Sequence, residues 1–215
     1  LSALEDYMAY GYVPDDACLV AGVRKLGAGE TLRLVRGRPL PQPHRYWDIS
    51  FADRTKSSPQ ESEEELVALM RQAVRSRMVA DVPLGAFLSG GVDSSSVVAL
   101  MAEASSQAVK TCTIGFDVAA LDETAYADRI ARRFATDPRS RIVSPDDYGL
   151  IDRLAFHFDE PFADASALPT FRVCELAREQ VTVALSGDGA DEAFAGYRRH
   201  RFQMQGERIR GLIPA

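Results

Sequence analysis

Two glycine-rich loops, each between an apolar run and a segment of helical spacing, constrain the fold of this chain more than any other feature. The first loop, residues 89–95 (SGGVDSS), follows the apolar run 84–88, and the second, residues 186–192 (SGDGADE), follows the apolar run 181–185. Glycines let the backbone approach a ligand closely, while free N–H groups and the helix dipole attract an anion. Each strand–loop–helix unit therefore predicts a phosphate-binding turn.

Both loops also carry carboxylates, which a site for an anion alone would not favour. Asp93 lies in the first loop, and Asp188 and Asp191 lie in the second. A divalent cation between carboxylate and phosphate removes the repulsion, and Mg²⁺ binds through one or two carboxylates together with phosphate oxygens. Neither loop is a Walker A loop, because the chain contains no Gly-Lys-Ser/Thr sequence. The pattern predicts a magnesium–phosphate site.

Predicted strands and helices alternate along the chain after residue 61. The apolar runs predict strands at 83–88, 110–116, 139–143 and 181–186. Helical spacing predicts helices at 93–105, 122–135, 146–157, 167–179 and 191–206. Such alternation is typical of an α/β fold with a parallel sheet, helices on both faces and ligands at the carboxyl ends of the strands. Both glycine-rich loops fall at that edge.

The first part of the chain has a different pattern. After a short helical stretch, alternation predicts a strand at 31–35, and extended structure resumes at 46–49. Residues 53–60 are polar and predict a linker. Ser62 and Glu65 have the spacing of a capping box at the start of a helix. Behind them lies one apolar stripe, made of Leu66, Leu69, Met70, Ala73, Val74 and Met78.

The first loop resembles the pyrophosphate loop of the N-type ATP pyrophosphatases, Ser-Gly-Gly-x-Asp-Ser, and matches every fixed position. Alone it leaves GMP, argininosuccinate and NAD synthetases open. The second loop, continued by Phe-Ala-Gly-Tyr at 194–197, resembles the Ser-Gly-Glu/Asp-Gly-x-Asp-Glu signature of glutamine-dependent asparagine synthetases. Residues 158–169 and stretches between 10 and 48 are similar to the same family, so the resemblance covers nearly the whole chain. Within the family, the chain is most similar to asparagine synthetase-like amidotransferases of exopolysaccharide clusters.

This resemblance implies a division into domains. Residues 61–215 would form a PP-loop synthetase domain of the adenine nucleotide α-hydrolase type, and residues 1–52 the β-rich end of an N-terminal nucleophile glutaminase domain, joined by the linker at 53–60. The family's synthetase domain continues past the second loop and supplies a catalytic lysine there, whereas no lysine follows Lys110 here. We therefore expect a fragment or a truncated member that is incomplete as a free-standing enzyme.

The chemistry that the resemblance implies is ATP-dependent amidation of a small carboxylate, aspartate in the family, through an acyl-adenylate with release of AMP and pyrophosphate. The cofactors would be ATP and Mg²⁺, and ammonia would come from a glutaminase domain absent from this sequence. Two alternatives stay open. One is a relative that adenylates another carboxylate, such as a β-lactam synthetase or a peptide cyclase. The other is a non-catalytic nucleotide-binding fragment.

The resemblance also assigns roles to individual residues. Asp188 is the expected catalytic residue, facing the acceptor. The expected magnesium ligands are Asp93, which we also expect to cap its helix, and Asp191. Glu192 is a less favoured candidate for a magnesium ligand, because an acidic residue in the first turn of a helix also favours the helix dipole. The expected contacts of ATP are Leu88, Ser89, Gly90, Gly91, Asp93, Ser94, Ile114, Ser186 and Gly187. The acceptor pocket is expected to be lined by Asp159, Glu160, Asp164 and Ser166.

Composition narrows the setting. The net charge of −6 argues against nucleic acid as a partner. No run approaches the roughly 18 apolar residues of a membrane helix. The three cysteines, at 18, 112 and 174, are far apart, which suits a reducing cytoplasm and argues against a disulfide framework. A homodimer of the full-length parent is left open.

We expect no glutamine hydrolysis by this polypeptide. The family's glutaminase uses an N-terminal cysteine, whereas the sequence begins with leucine and Cys18 lies within the chain, where it has no α-amino group to act as its base. Incubation of the purified chain with glutamine checks this. Release of glutamate above the protein-free blank would contradict it.

Overall fold

The computed structural model describes residues 2–14, 17–50, 56–144 and 148–210. The chain forms two compact units. The first comprises Leu1–Glu61 with Asp147–Leu168, and the second comprises Ser62–Asp146 with Pro169–Ala215. Within the described ranges, no helix is long and apolar enough to cross a membrane.

The domain boundaries predicted from sequence stay a prediction, and residues 53–55 of the linker and 211–215 of the synthetase domain lie outside the described ranges. The helices are α1 (Ser2–Tyr10), α2 (Pro59–Arg77), α3 (Val92–Ala104), α4 (Thr124–Arg133), α5 (Ile151–Phe158), α6 (Ala167–Arg178), α7 (Ala190–Phe194) and α8 (Arg198–Arg210), with a 3-10 turn at Tyr148–Leu150. The strands are β1 (Glu30–Thr31), β2 (His44–Arg45), β3 (Leu84–Phe87), β4 (Lys110–Phe116), β5 (Asp137–Val143) and β6 (Val183–Leu185).

The second unit contains the predicted parallel sheet. Its strand order is β5-β4-β3-β6, and every neighbouring pair is parallel. From β3 the chain proceeds to β4 and β5 on one side and then returns to place β6 on the other side of β3. The strand order therefore reverses between β3 and β6, and in such sheets the crevice at the reversal is where ligands bind.

Two apolar clusters cover the two faces of this sheet, which confirms the predicted α/β fold. One cluster joins Ala86 and Leu88 at β3 to residues of α2, α3 and α4. The other joins Cys112 of β4 to Leu176 and Ala177 of α6. Successive strand residues point to opposite faces of the sheet. Phe87 therefore packs against the second cluster, whereas its sequence neighbours Ala86 and Leu88 belong to the first. Both faces are buried, as an all-parallel sheet requires.

The start of α2 differs from the prediction. Ser58 and Glu61 form the capping box: the Ser58 N–H donates to Glu61 Oε2 at 2.7 Å, and the Glu61 N–H donates to Ser58 Oγ at 3.3 Å. Pro59 follows the cap, at the first helical position, where its missing N–H and fixed φ suit the helix. Ser62 and Glu65 lie inside the helix, so the prediction that they form the box was wrong. The buried apolar face of α2 is narrower than predicted, because Leu69 is exposed while Val74 is buried.

The predicted strand at 31–35 is also wrong beyond Thr31. Thr31 pairs with His44 in a two-residue antiparallel ladder. Continuing that register would place Pro43 opposite Leu32 and Pro41 opposite Leu34, and proline has no N–H to donate to a ladder. Extended pairing does not resume at 46–49. The N–H groups of Tyr46 and Trp47 instead both donate to the Gly29 carbonyl oxygen.

The helix predicted at 191–206 is two helices, α7 and α8, and that prediction was wrong in its middle. Ala195 ends α7 with φ of +56°, a left-handed conformation that an α-helix cannot continue through. The other predicted helices of the second unit are confirmed with ends that differ by a few residues. For the helix predicted at 146–157, residues 146 and 147 lie outside the described ranges, and the rest is the 3-10 turn followed by α5.

Candidate nucleotide-binding site

The first loop connects β3 to α3 and is held by its own hydroxyl groups. Ser94 Oγ lies 3.0 Å from Ser89 Oγ, accepts from the Ser89 N–H at 3.3 Å and donates to the Gly91 carbonyl oxygen at 3.3 Å. Ser89 Oγ in turn accepts from the Gly91 N–H at 3.2 Å. These bonds fix the turn, so the two serines of the motif have a structural role in addition to any contact with a ligand.

Asp93 does not cap α3, and the expectation that it does was wrong. The N-cap is Gly91, and no side chain makes a capping hydrogen bond there. Asp93 instead lies in the first turn, where its negative charge favours the helix dipole. Its carboxylate is therefore not occupied by the cap.

Ser95 was missed by the sequence predictions. Its hydroxyl oxygen is buried and has no hydrogen-bond partner within the described residues. A buried polar atom without a partner is uncommon in folded proteins. Ser95 lies in the first turn of α3, in a run of three serines at positions 94–96, and the sequence predictions gave its hydroxyl no role.

Gly90 brings the first loop against α4. Its φ is +85°, and a Cβ at this position would lie 2.6 Å from both Tyr126 Cβ and the Ala127 N. Only glycine suits this position, because a side chain would meet both strain and overlap.

We expect Gly90→Ala to destabilise the second unit by about 2 to 5 kcal/mol, adding left-handed strain to overpacking. Urea denaturation checks this. Gly189→Ala is the matched control, since Gly189 lies in the same unit, has φ of +92° and has nothing within 4 Å of the added Cβ. It should show the strain alone. Equal losses for the two variants would show that the contact with α4 is unimportant.

The second loop lies directly against the first. A Cβ on Gly187 would be 2.6 Å from the Ser94 N and 2.8 Å from the Asp93 carbonyl carbon. This contact follows from the sheet, because β6 pairs with β3 and both loops leave the same edge. The structure thus brings together two motifs that are far apart in sequence, at the point where the strand order reverses.

The predicted adenine contacts lie at the ends of neighbouring strands. Leu88 as a whole is only 2% exposed, so its assignment as an adenine contact stays a prediction. Its N–H donates to the Cys112 carbonyl oxygen, and its own carbonyl oxygen accepts from Thr113 Oγ1 at 2.7 Å. Ile114 packs against the second apolar cluster. Backbone contact with a ligand would leave both side chains in the core.

The polar side of the second loop is formed by Asp188 and the residues around it. Asp188 is exposed, and its N–H donates to Ser186 Oγ at 3.2 Å. The Cys174 thiol on α6 has a raised pKa, because of burial first and the negative charge of Asp188 second. This neighbour was not among the predicted site residues. The charge of Asp188 is therefore felt at Cys174 on α6.

The turn after α7 separates the roles of Asp191 and Glu192. The Tyr197 hydroxyl donates to Glu192 Oε1 at 2.5 Å, which lowers the pKa of the Glu192 carboxyl and raises that of the Tyr197 phenol. Asp191 Oδ1 occupies the space that a Cβ on Gly196 would need. Glycine at 196 therefore makes room for the Asp191 carboxylate, while Glu192 is engaged elsewhere.

The residues predicted to line the acceptor pocket lie in the first unit. Asp159 ends α5 with φ of +58°. The Glu160 carboxylate pairs with Lys25 at 2.7 Å. Asp164 accepts from the Ser166 N–H at 2.8 Å, and this bond lowers the pKa of the Asp164 carboxyl. The assignment of these four residues to a pocket stays a prediction.

The donor set suits a metal bound mainly by a ligand's own oxygens. Among the described residues, no group of three or more His, Cys, Asp or Glu side chains could hold an ion by itself. Two carboxylates from adjoining loops are nevertheless what Mg²⁺ uses when phosphates and water complete its shell. Asp93 and Asp191 therefore fit a magnesium–phosphate complex better than a free ion.

A parallel sheet covered by helices on both faces, with glycine-rich loops at its reversal point, defines an α/β domain. The asparagine synthase family profile matches residues 65–214, and the chain belongs to that family. A putative asparagine synthetase [glutamine-hydrolyzing] 2 of Methanocaldococcus jannaschii is 38% identical, over 92% of this chain and 38% of that protein. Asparagine synthetase [glutamine-hydrolyzing] 1 of Bacillus subtilis is 36% identical, over 93% of this chain and 31% of that protein. The chain spans about a third of the length of these relatives.

Other matches are more distant. The amidase chyE of Penicillium rubens is 31% identical, over 86% of this chain and 30% of that protein. Among solved structures, a glutamine-dependent NAD+ synthetase from Acinetobacter baumannii in complex with ADP has a TM-score of 0.42 and 23% identity, over 66% of this chain and 29% of that one. The narrower resemblance to exopolysaccharide-cluster amidotransferases stays a prediction.

Proposed function

We propose that this chain carries the ATP-binding part of an enzyme that amidates a small carboxylate, of the aspartate-to-asparagine type. The observation that carries the proposal is the contact of Gly187 with the Asp93–Ser94 backbone, where two phosphate-type loops meet at the reversal of the sheet. Membership of the asparagine synthase family and the names of the relatives support the reaction class.

In this proposal the first loop holds the phosphates of ATP. Backbone N–H groups at the start of α3, together with the Ser89 hydroxyl, would donate to phosphate oxygens. Asp93 and Asp191 would hold Mg²⁺. When bound, the ion would spread the charge that develops on the leaving pyrophosphate. Adenine would lie against the backbone at Leu88 and Ile114.

The proposed reaction has two steps. A carboxylate oxygen of the acceptor attacks the α-phosphorus of ATP, the bond from that phosphorus to the bridging oxygen breaks, and pyrophosphate leaves. Ammonia then attacks the acyl carbon, AMP leaves with the bonding electron pair, and a proton is lost to give the amide. Asp188 would face the acceptor during the first step and orient it toward the α-phosphorus.

The proposal is completed by partners outside this chain. ATP and a small carboxylate are the proposed substrates, and a glutaminase domain is the proposed source of ammonia. A cytoplasmic location, a homodimer of the full-length protein and the absence of nucleic-acid and membrane partners stay predictions.

ATP–pyrophosphate exchange across a panel of carboxylates tests the proposal in a full-length protein that contains this chain. Exchange that depends on aspartate supports the amidating enzyme. Exchange that depends on another acid indicates the relative of the β-lactam synthetase or peptide cyclase type. Mg-ATP binding without any exchange indicates a non-catalytic nucleotide-binding protein.

A further inference from the structure

Lys25 is one of only three lysines in the chain, and the proposed function gives it no role. Its ammonium group lies 2.7 Å from Glu160 Oε2 and donates to the Val13 carbonyl oxygen at 2.8 Å. Val13 is buried, so this second bond fixes the lysine to a rigid part of the first unit. The nearby Cys18 thiol also lowers the pKa of the Glu160 carboxyl. The Lys25 ammonium thus ties the Glu160 carboxylate to the N-terminal segment.

Backbone contacts join the same two segments nearby. The Ala163 N–H donates to the Gly11 carbonyl oxygen at 2.9 Å, and a Cβ on Gly11 would lie 3.5 Å from Ala163 Cβ. Phe158 and Phe162, on either side of Glu160, stack with ring centroids 4.6 Å apart. Residues 158–163, which we name the acceptor turn, are therefore attached to residues 11–25 at Glu160 and at Ala163.

We propose that Lys25 is a positioning residue, which fixes the acceptor turn through Glu160 and so sets the affinity for the carboxylate substrate. This proposal rests on the proposed function, since the acceptor turn overlaps the residues expected to line the acceptor pocket. Glu160 then acts as an anchor of the turn.

The charge balance supports the same assignment. The hydrogen bond from Lys25 is the largest cause of the lowered pKa of the Glu160 carboxyl. A carboxylate whose pKa is lower in the folded than in the unfolded chain stabilises the folded state fully at pH values above its unfolded pKa. That contribution is lost as the pH falls through the lower, folded pKa. The anchor is therefore intact at neutral pH, where the proposed reaction would run.

Hydrogen exchange on the 215-residue chain tests the anchor directly, with the Ala163 amide as the reporter. We expect Lys25→Met to raise its exchange rate about fivefold, as for the loss of one partly exposed ion pair. Lys56→Met is the matched control, because Lys56 is exposed, and it should change nothing. In a double-mutant cycle, Glu160→Gln should add no further increase to Lys25→Met. Unchanged exchange in Lys25→Met, or additive effects, would overturn the proposal.

Acceptor dependence tests the positioning role in the full-length protein. Lys25→Met should raise the KM for the carboxylate about fivefold without changing the affinity for Mg-ATP. Lys25→Arg, which keeps the positive charge, should have a KM close to that of the wild type. Faster exchange of Ala163 with an unchanged acceptor KM would overturn the role. If none of the carboxylates supports ATP–pyrophosphate exchange by the wild-type protein, the proposed function fails. Hydrogen exchange at Ala163 still tests whether Lys25 anchors the acceptor turn.

Discussion

Replacing Asp188 with asparagine is expected to lower ATP–pyrophosphate exchange about a hundredfold and to leave ATP affinity nearly unchanged. The size is that of losing one positioned charged group at a reacting centre. Asp188 lies on the exposed side of the second loop, beyond the contact between the two loops, so its loss should spare the phosphate cradle. ATP–pyrophosphate exchange kinetics and ATP titration, on a full-length protein that contains this chain, measure the exchange rate and the ATP affinity.

Asp81→Asn is the matched control for this variant. Asp81 is an exposed aspartate just before β3, at the opposite edge of the sheet from the loops. It should leave both exchange and ATP affinity unchanged. Equal losses of exchange and affinity in Asp188→Asn would place Asp188 in nucleotide binding and contradict its catalytic role.

Tight ATP binding is expected to require Mg²⁺ and both proposed ligands. Two like unit charges 4 Å apart repel by about 4 kcal/mol at an effective dielectric constant of about 20. The carboxylates of Asp93 and Asp191 would therefore oppose the triphosphate unless a cation lies between them. Removing the metal should weaken ATP binding by a factor of about 100 or more, and the protein without nucleotide should bind Mg²⁺ poorly.

Alanine at either position should abolish both the magnesium dependence and the pyrophosphate exchange. Glu192→Ala should retain the magnesium dependence, because the Glu192 carboxylate is engaged by Tyr197. Asp81→Ala again serves as the control for folding. Magnesium dependence that survives in Asp93→Ala and Asp191→Ala but is lost in Glu192→Ala would reverse the assignment of the ligands.

The sheet was predictable because each strand repeats one local pattern. Apolar runs ended by glycine-rich or polar turns alternate with helical spacing, and this alternation has one common solution, a parallel sheet. What it does not determine is the strand order. That β6 lies beside β3, and so places Gly187 against Ser94, depends on long-range packing that no local window contains.

The predictions from sequence that were wrong each have an identifiable physical cause. Two Ser-x-x-Glu patterns follow each other directly near the start of α2, and Pro59, at the first helical position, favours the earlier one. Beyond Thr31, a continued ladder would pair the alternating segment with prolines. The break before α8 follows from Ala195 and from the room that Asp191 needs at Gly196, which is a requirement of side-chain packing and does not appear in helical periodicity.

Calorimetric titration of the 215-residue chain with Mg-ATP most directly tests whether the two adjoining loops form a nucleotide site. Gly187→Val would place a side chain against the Ser94 N and should abolish saturable binding, whereas Gly206→Val, with nothing within 4 Å of the added Cβ, should retain it. Circular dichroism of both variants confirms that each is folded. Saturable binding by the parent chain that depends on Mg²⁺ and is lost only in Gly187→Val is the predicted result. No binding by the parent chain, or full binding by a folded Gly187→Val, would contradict it.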